Sequence, residues 1–529
     1  NSNVCDLYNA HIVLPTVCMI GPRSKVLHHF QGGGKSTEVM LTRLAEVQLQ
    51  RGQPTVATAI SEQVIEQNPK NVDAITINAY AKLDEGKPEK AKETFNSLPD
   101  DKEDAGIIKQ EGFAEVYLKT GEFDKAWATA QELENVSPER AGAHVIKGEI
   151  LANQGKVVEA EKEWLIAVNK KTALKYQQAK VRNKLGLKKA RQGESREAIA
   201  LYRQAEDIDP YNIEATSNRG LALEKEGQLN RALAAYRQAL MVKKDDIYAS
   251  VFARSLQEKL SIENNAEKKK RMDQLIKELA QRYHQQKNVE TDKQLDSWTS
   301  RPMVLSFVNL KEGGGLPDRD GFVLVLSDRL SQYLNSSGRI QVVERRYIEK
   351  IIDELNLGSS DLADPQTALK LGRLFAAKVI CTGSIHYFPD QTLVSLRLMD
   401  TETSRIAKVF TRQFTDSDSL DKEIGWLNKE ILKTIIAQYP LRGYVVDAEN
   451  DQITINIGKN QGVVLGTQFE VLKESEDIIY KGKRLKGTPK TVAHLKVVKV
   501  EPDFSLARIV KQEASIQRDD KIEEIMTQL

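Results

Sequence analysis

Cysteine is nearly absent from this chain. Three stand in 529 residues, and no spacing among them makes a zinc site or a redox pair. Cys5 and Cys18 lie in the N-terminal tail, which leaves room for one disulfide, Cys5–Cys18. Cys381 sits in the apolar run KVICTGSI and reads as a small buried hydrophobe. Histidine is also sparse, with seven scattered residues, and the adjacent pair His28–His29 has no third ligand near it. The expectation is therefore no metal and no cofactor. Charge of one sign is missing too: 77 Lys and Arg face 75 Asp and Glu, so no basic excess points to nucleic acid. Long apolar runs are lacking. The longest, HIVLPTVCMI, falls far short of the ~20 residues a spanning helix needs and holds Pro15. No nucleophile–base–acid set can be assembled, so the chain is expected not to be an enzyme.

What the chain does have is a period. Gly52, Gly86, Gly121, Gly155, Gly193 and Gly227 recur at intervals of 34, 35, 34, 38 and 34 residues. Seven residues before each stands a small residue: Ala45, Ala79, Ala114, Gly148, Gly186 and Gly220. Five residues after each stands an alanine: Ala57, Ala91, Ala126, Ala160, Ala198 and Ala232. Each unit reads as two amphipathic helices joined by a tight turn whose glycine accepts a left-handed backbone. The small residues let the helices cross closely, and Phe95, Trp164, Tyr202 and Tyr236, each four residues past the alanine, fill the next layer. One unit cannot bury its apolar face; a stack can. The stretch GLALEKEGQLNRALAAYRQALMV (220–242) resembles the tetratricopeptide repeat, and six such repeats are expected over 38–71, 72–106, 107–140, 141–178, 179–212 and 213–246. The fourth carries an insertion around KKTALKY. The resemblance implies a protein or peptide partner on the concave face, lined by first-helix positions such as Tyr80, Glu111, Glu115, Asn183, Arg191 and Ser217. The family's carboxylate-clamp pattern is not reproduced in full.

Residues 1–37 fit none of this and stay uninterpreted. HHFQGGGKSTEVM (28–40) ends like a phosphate-binding loop, but the first glycine such a loop needs is His29, and a repeat helix follows Ser36. The glycines read as a leader ending in a helix cap at Ser36 or Thr37, with Glu38 favourable in the first turn. An NTPase working through Lys35 is the contrasting reading. IVLPTVCM looks like the remnant of a secretory apolar segment without its basic flank, which leaves open whether Cys18 carries a lipid.

Residues 247–299 read as capping helices and linker, with Met272, Leu275, Ile276, Leu279 and Tyr283 on one face of a helix ending near 286. From 300 to 438 the pattern changes to α+β: strand 303–310, a GGGLPD loop, helix 321–337, strand 339–345, two helices, a three-strand meander, and a final helix. VVERRYIEKIIDELNLGSSDLADPQTALKLGRLFAAKVICTGSI, with Val343, Glu344, Arg345, Glu354, Leu357, Asp364, Ala368, Gly372, Ala376 and Gly383 in register, resembles the curli-secretion (CsgG-like) lipoprotein superfamily. That resemblance implies a bacterial envelope protein, often at the outer membrane and often a homo-oligomer. Segment 311–320 is too short and polar for the membrane hairpins of a curli-type channel. Glu344, Arg345 and Arg346 read as an ion pair or helix cap, not as catalysts. Residues 439–529, with Gly458, Gly462, Val463 and Gly466 ahead of the strand from Phe469, suggest a small closed barrel and resemble the C-terminal domain of the flagellar H-ring protein. The whole therefore reads as a multidomain, non-enzymatic scaffold or adaptor, periplasmic or outer-membrane-associated. A component of a curli-type secretion channel is the alternative.

Overall fold

The structure is a computed structural model. It describes residues 16–22, 26–31, 36–102, 104–285, 298–343, 345–357, 365–375, 377–388, 391–414, 420–449, 452–474, 478–480, 483–485 and 487–525. Two compact units divide the chain. The first is Asn1–Ser261 with Gly313–Val325 and His386–Gln391; the second is Ile262–Glu312, Leu326–Ile385 and Thr392–Leu529.

The first unit opens with an antiparallel hairpin of β1 (Thr16–Ile20) and β2 (Val26–Gln31). Part of the uninterpreted leader is thus ordered, with β1 starting at Thr16. Helix α1 begins at Ser36, with Glu38 in its first turn. Cys5 and Lys35 lie outside the described residues.

Twelve helices follow as six pairs. They are α1 (Ser36–Gln50) and α2 (Pro54–Gln67), α3 (Val72–Asp84) and α4 (Pro88–Asn96), α5 (Ala105–Lys119) and α6 (Phe123–Val136), α7 (Gly142–Asn153) and α8 (Val157–Ala167), α9 (Lys175–Arg191) and α10 (Ser195–Ile208), and α11 (Ile213–Lys225) and α12 (Leu229–Val242). The six periodic glycines end the first helix of each pair at φ between +67° and +83°. Each turn closes the same way. Gly52 donates to the Leu49 carbonyl at 3.0 Å and Gln53 to Gln48 at 2.9 Å, and the 6→1 bond recurs from Lys87, Glu122, Lys156, Glu194 and Gln228. These bonds satisfy the carbonyls that a helix end otherwise orphans. Asn71 and Asn212 cap α3 and α11, accepting from the Ala74 and Ala215 amides at 2.9 and 2.8 Å.

All the alanines of the pattern are fully buried, as are Phe95, Trp164 and Tyr236, with Tyr202 nearly so. Gly148 lies against Trp164, Gly186 against Tyr202 and Gly220 against Tyr236. A Cβ there would fall 2.4, 2.6 and 2.2 Å from the ring. Each aromatic buries on the order of 200 Å², worth roughly 5 kcal/mol of gross transfer free energy. The insertion between α8 and α9 folds back on the preceding repeat: Ala141 donates to the Lys171 carbonyl at 2.7 Å and Lys171 to Glu139 at 3.1 Å.

Asp209, at the end of α10, is buried, and desolvation pushes its carboxyl from 3.8 up to about 7. A carboxyl raised on folding stabilises while protonated, so its contribution is present below pH 4 and lost as pH rises towards 7. Asp209→Asn keeps the oxygen that accepts the Tyr211 amide at 3.0 Å and removes the charge. Thermal melts of the variant are expected to gain a few degrees at pH 8 and nothing at pH 4; an equal shift at both would remove the ionisation argument.

Helix α13 (Ile247–Glu263) continues the stack, with Phe252 at 5.3 Å from Tyr236, ring to ring. Helix α14 (Ala266–Gln285) does not. The sequence reading made it a cap of the array, but Met272 and Ile276 are buried in the second unit with Val308, Ile351, Leu369, Leu374 and Ile380. An amphipathic face dictates burial but does not name what covers it.

In the second unit β3 (Val304–Gly314), α15 (Phe322–Ser336), β4 (Gln341–Val342), α16 (Arg345–Glu354), α17 (Pro365–Leu374), β5 (Val379–Tyr387), β6 (Thr392–Asp400), β7 (Ile406–Phe414) and α18 (Leu420–Gln438) build a five-stranded sheet with helices. Its order is β4-β3-β5-β6-β7, with β3 parallel to β4 and β6 antiparallel to β7. β3 runs on to Gly314, through glycines that the sequence reading placed in a loop. Cys381 is fully buried, which pushes its thiol up to about 12 and leaves it inert. Glu344 and the side chains of Arg345 and Arg346 lie outside the described residues.

β8 (Arg442–Glu449), β9 (Gln452–Ile455), β10 (Gln468–Lys473), β11 (Ile478–Tyr480), β12 (Lys483–Leu485), β13 (Lys490–Val500), β14 (Ser505–Gln512) and β15 (Lys521–Glu524) complete the chain. Six of them close a barrel in the order β10-β13-β14-β9-β8-β15, filled by Val445, Ile455, Phe469, Val471, Leu495 and Ile522. β11 and β12 form a separate hairpin. Among the described residues no helix is long and apolar enough to cross a membrane.

Candidate functional site

The groove of the last repeats is built by three successive first-position helices. α9 supplies Asn183 and Lys184. One period later α11 supplies Ser217 and Asn218. One period after Asn212, Asp246 caps α13, accepting the Ala249 amide at 2.7 Å, and Tyr248 follows it. The same step along the solenoid that repeats the packing therefore repeats the polar lining.

Residues 315–321, Gly-Leu-Pro-Asp-Arg-Asp-Gly, belong to this unit and lie in that groove. Asn183 and Asn218 donate to the Asp318 carbonyl at 2.8 and 3.1 Å, and the Asp320 amide donates to Asn218 at 2.9 Å. These bonds hold the backbone and read no side chain. Lys184 donates to the Leu316 carbonyl at 3.1 Å and pairs with the Asp318 carboxylate at 3.0 Å. Leu316 is buried with Ala152, Trp164, Val181 and Leu185.

Arg319 is the most completely recognised side chain. Its guanidinium donates to both Asp246 oxygens at 2.6 and 2.8 Å and to the Ser217 hydroxyl at 2.7 Å, and it lies 4.3 Å from the Tyr248 ring centre. A fork on a carboxylate with a ring beneath is the geometry that distinguishes Arg from Lys. Only Nε is left buried without an acceptor. The ionisations fit this picture. Lys184, paired with it at 3.0 Å, holds the Asp318 carboxyl down to about 2. Burial disfavours the Lys184 ammonium, but Asp318 and Glu149 outweigh it and its pKa rises. Burial likewise opposes ionised Asp246, and the Arg319 bonds win.

Of the residues expected to line the concave face, Asn183 and Ser217 meet here. The other four do not. Tyr80 is packed edge-on to Phe95 at 5.2 Å. Glu111 is buried in a two-point pair with Arg140, Nε to Oε1 3.1 Å. Glu115 is half-buried, and desolvation raises its carboxyl. Arg191 is exposed, 5.8 Å from the Tyr387 ring. Sequence reasoning missed Lys184 and Asn218, each next to a named residue, and Asp246, whose signal was its register with Asn212. Nothing local marked Arg319, which lies 73 positions from Asp246 and 102 from Ser217.

Family models for "Tetratricopeptide repeat" match residues 48–108, and 112–168 with 183–249. The helical array is made of tetratricopeptide repeats. These repeats are modules of protein–protein interaction. The model for "Curli production assembly/transport component CsgG" matches residues 324–395, and that for "Flagellar assembly protein T, C-terminal domain" matches residues 450–524. The chain thus joins a tetratricopeptide array to a CsgG-like domain and a flagellar-type barrel. No curated protein matches it. Among solved structures it is similar to the APC/C Cut9–Hcn1 hetero-tetramer, at 14% identity and TM-score 0.31, over 41% of this chain and 42% of that one. It thus spans less than half of that chain. It is also similar to yeast Tom70, at 14% identity and TM-score 0.33, over 43% of this chain and 50% of that one. YrrB, described as a TPR protein with an unusual peptide-binding site, matches at 17% identity and TM-score 0.23, over 36% of this chain and 95% of that one.

Proposed function

We propose that this protein is a non-enzymatic adaptor of the bacterial cell envelope. Its tetratricopeptide array docks a protein partner, while the CsgG-like domain and the barrel support assembly at the outer membrane or on an envelope machine, as a homo-oligomer formed through the CsgG-like domain. The observation that carries the reading is the combination on one chain: a repeat array with a polar groove fitted to peptide backbone, and two domains whose family models describe curli transport and flagellar assembly. Asn183 and Ser217 are the docking residues proposed from the sequence that lie in that groove.

Crosslinking in cells, followed by capture from the envelope fraction, tests it. The full chain is expected to fractionate with the envelope and to carry crosslinked partners that vanish when residues 36–261 are deleted. Partners that persist without the array, or a chain found wholly in the cytosol, would overturn the reading.

A further inference from the structure

The groove just described is already filled, by the chain itself, and that occupant displays the chemistry of the ligand the groove accepts. We propose that the groove of repeats five and six with α13 is an arginine-reading peptide site, held in cis by residues 315–321, and that the protein partner docks there with a Leu-Pro-Asp-Arg-Asp-like segment that displaces this loop. The inference rests on the adaptor reading and sharpens it: it names the partner's recognition element and the contact that must open.

Three independent features support a ligand site over ordinary packing. First, the contacts divide as a peptide site's do. Asn183 and Asn218 take main-chain groups of Asp318 and Asp320, which any extended peptide offers, while Asp246, Ser217 and Tyr248 take one arginine. Second, the occupant is a loop between Gly314 and Gly321, both at positive φ (+85° and +84°), and it contributes one apolar anchor, Leu316. Third, its fit is incomplete. The Asp318 side chain is 72% exposed, so its pairing with Lys184 is shared with water, and Arg319 Nε has no acceptor. A tethered segment needs little intrinsic affinity to stay bound, because its effective concentration is of the order of millimolar. A partner with better contacts displaces it; a weak bystander does not. The loop thus keeps an apolar and charged groove covered until that partner arrives.

The test uses the full chain and a fluorescein-labelled synthetic peptide copying residues 313–322, read by anisotropy. Arg319→Ala removes the cis anchor without touching the groove wall and is expected to bind the peptide roughly tenfold or more tighter than the wild type, whose own loop competes. Adding Asp246→Asn, which keeps the cap of α13 but loses the charge, is expected to cost at least about tenfold of that gain, as is alanine in place of the peptide's arginine. In the wild type, millimolar peptide is expected to speed amide hydrogen exchange across 315–321, a readout that does not depend on any variant folding. Equal peptide binding by wild type and Arg319→Ala, indifference to the peptide's arginine, or unchanged exchange in 315–321 would each overturn the proposal. A partner that crosslinks equally to wild type and Asp246→Asn, yet is lost with the array, would sink this inference and leave the adaptor reading standing.

Discussion

Trp164→Ala is expected to destabilise the helical unit by about 3–5 kcal/mol. The indole is fully buried at the crossing of α7 and α8, directly under Gly148. Truncation removes its contacts and leaves a cavity between two helices held apart by the neighbouring repeats, so collapse is restricted. Its Nε1 has no hydrogen-bond partner, so Trp164→Phe loses area but no bond and is expected to cost only about 1 kcal/mol. The reciprocal change, Gly148→Ala, puts a methyl 2.4 Å from Nε1 and is expected to cost about 1–3 kcal/mol. Because the two sites share one volume, the double variant Gly148→Ala/Trp164→Ala should be more stable than the sum of the single losses implies. Guanidinium denaturation followed by circular dichroism reads all four. Strict additivity would show that the glycine and the indole do not share the crossing.

Glu524→Ala is expected to cost the second unit about 3–5 kcal/mol, for an electrostatic reason. Arg339 Nη2 donates to Glu524 Oε2 at 2.9 Å and to the Tyr439 carbonyl at 2.7 Å, and the Leu441 amide donates to the same carboxylate oxygen at 2.9 Å. Both side chains are under a tenth exposed, at 5% and 8%. Desolvation already lowers the Arg339 pKa, so the guanidinium depends on its partner. Removing Glu524 strands a buried cation and an amide together. Replacing both, Arg339→Met with Glu524→Leu, leaves the Leu441 amide and the Tyr439 carbonyl without these partners but strands no charge, and should recover part of the loss. Hydrogen exchange at 442–444 and 521–523 reports the effect, since β15 pairs with β8 there. If Glu524→Ala leaves those amides as protected as before, the pair is not what closes the barrel against the sheet domain.

Much of the fold was legible because it is periodic. Glycine at +67° to +83°, an alanine five residues on and an aromatic four beyond that are local rules, repeated, and each repeat confirms the next. The strand and helix order of residues 303–438 was legible for a similar reason, since hydrophobic spacing changes from 3.6 to 2 where helix gives way to strand. The site was legible only in part. Asn183 and Ser217 stood out as polar residues on first helices, but the same criterion also picked Tyr80 and Glu111, which the packing uses internally. Polar identity does not separate a docking residue from a satisfied buried one; only the partner does that. Glu111 has its partner in Arg140, and Ser217 has Arg319.

By itself the amino-acid sequence determined the solenoid, its six-fold repetition, the α+β order and the barrel, because each is written in local periodicity and turn residues repeated along the chain. Tertiary structure alone decided that α14 leaves the array for the second unit, and that residues 315–321 lie in the groove between Asn183 and Asp246. Both outcomes depend on contacts between segments far apart in the chain. An amphipathic face or a charged loop carries a demand for burial or pairing, and that demand is met by whichever complementary surface the fold brings within reach.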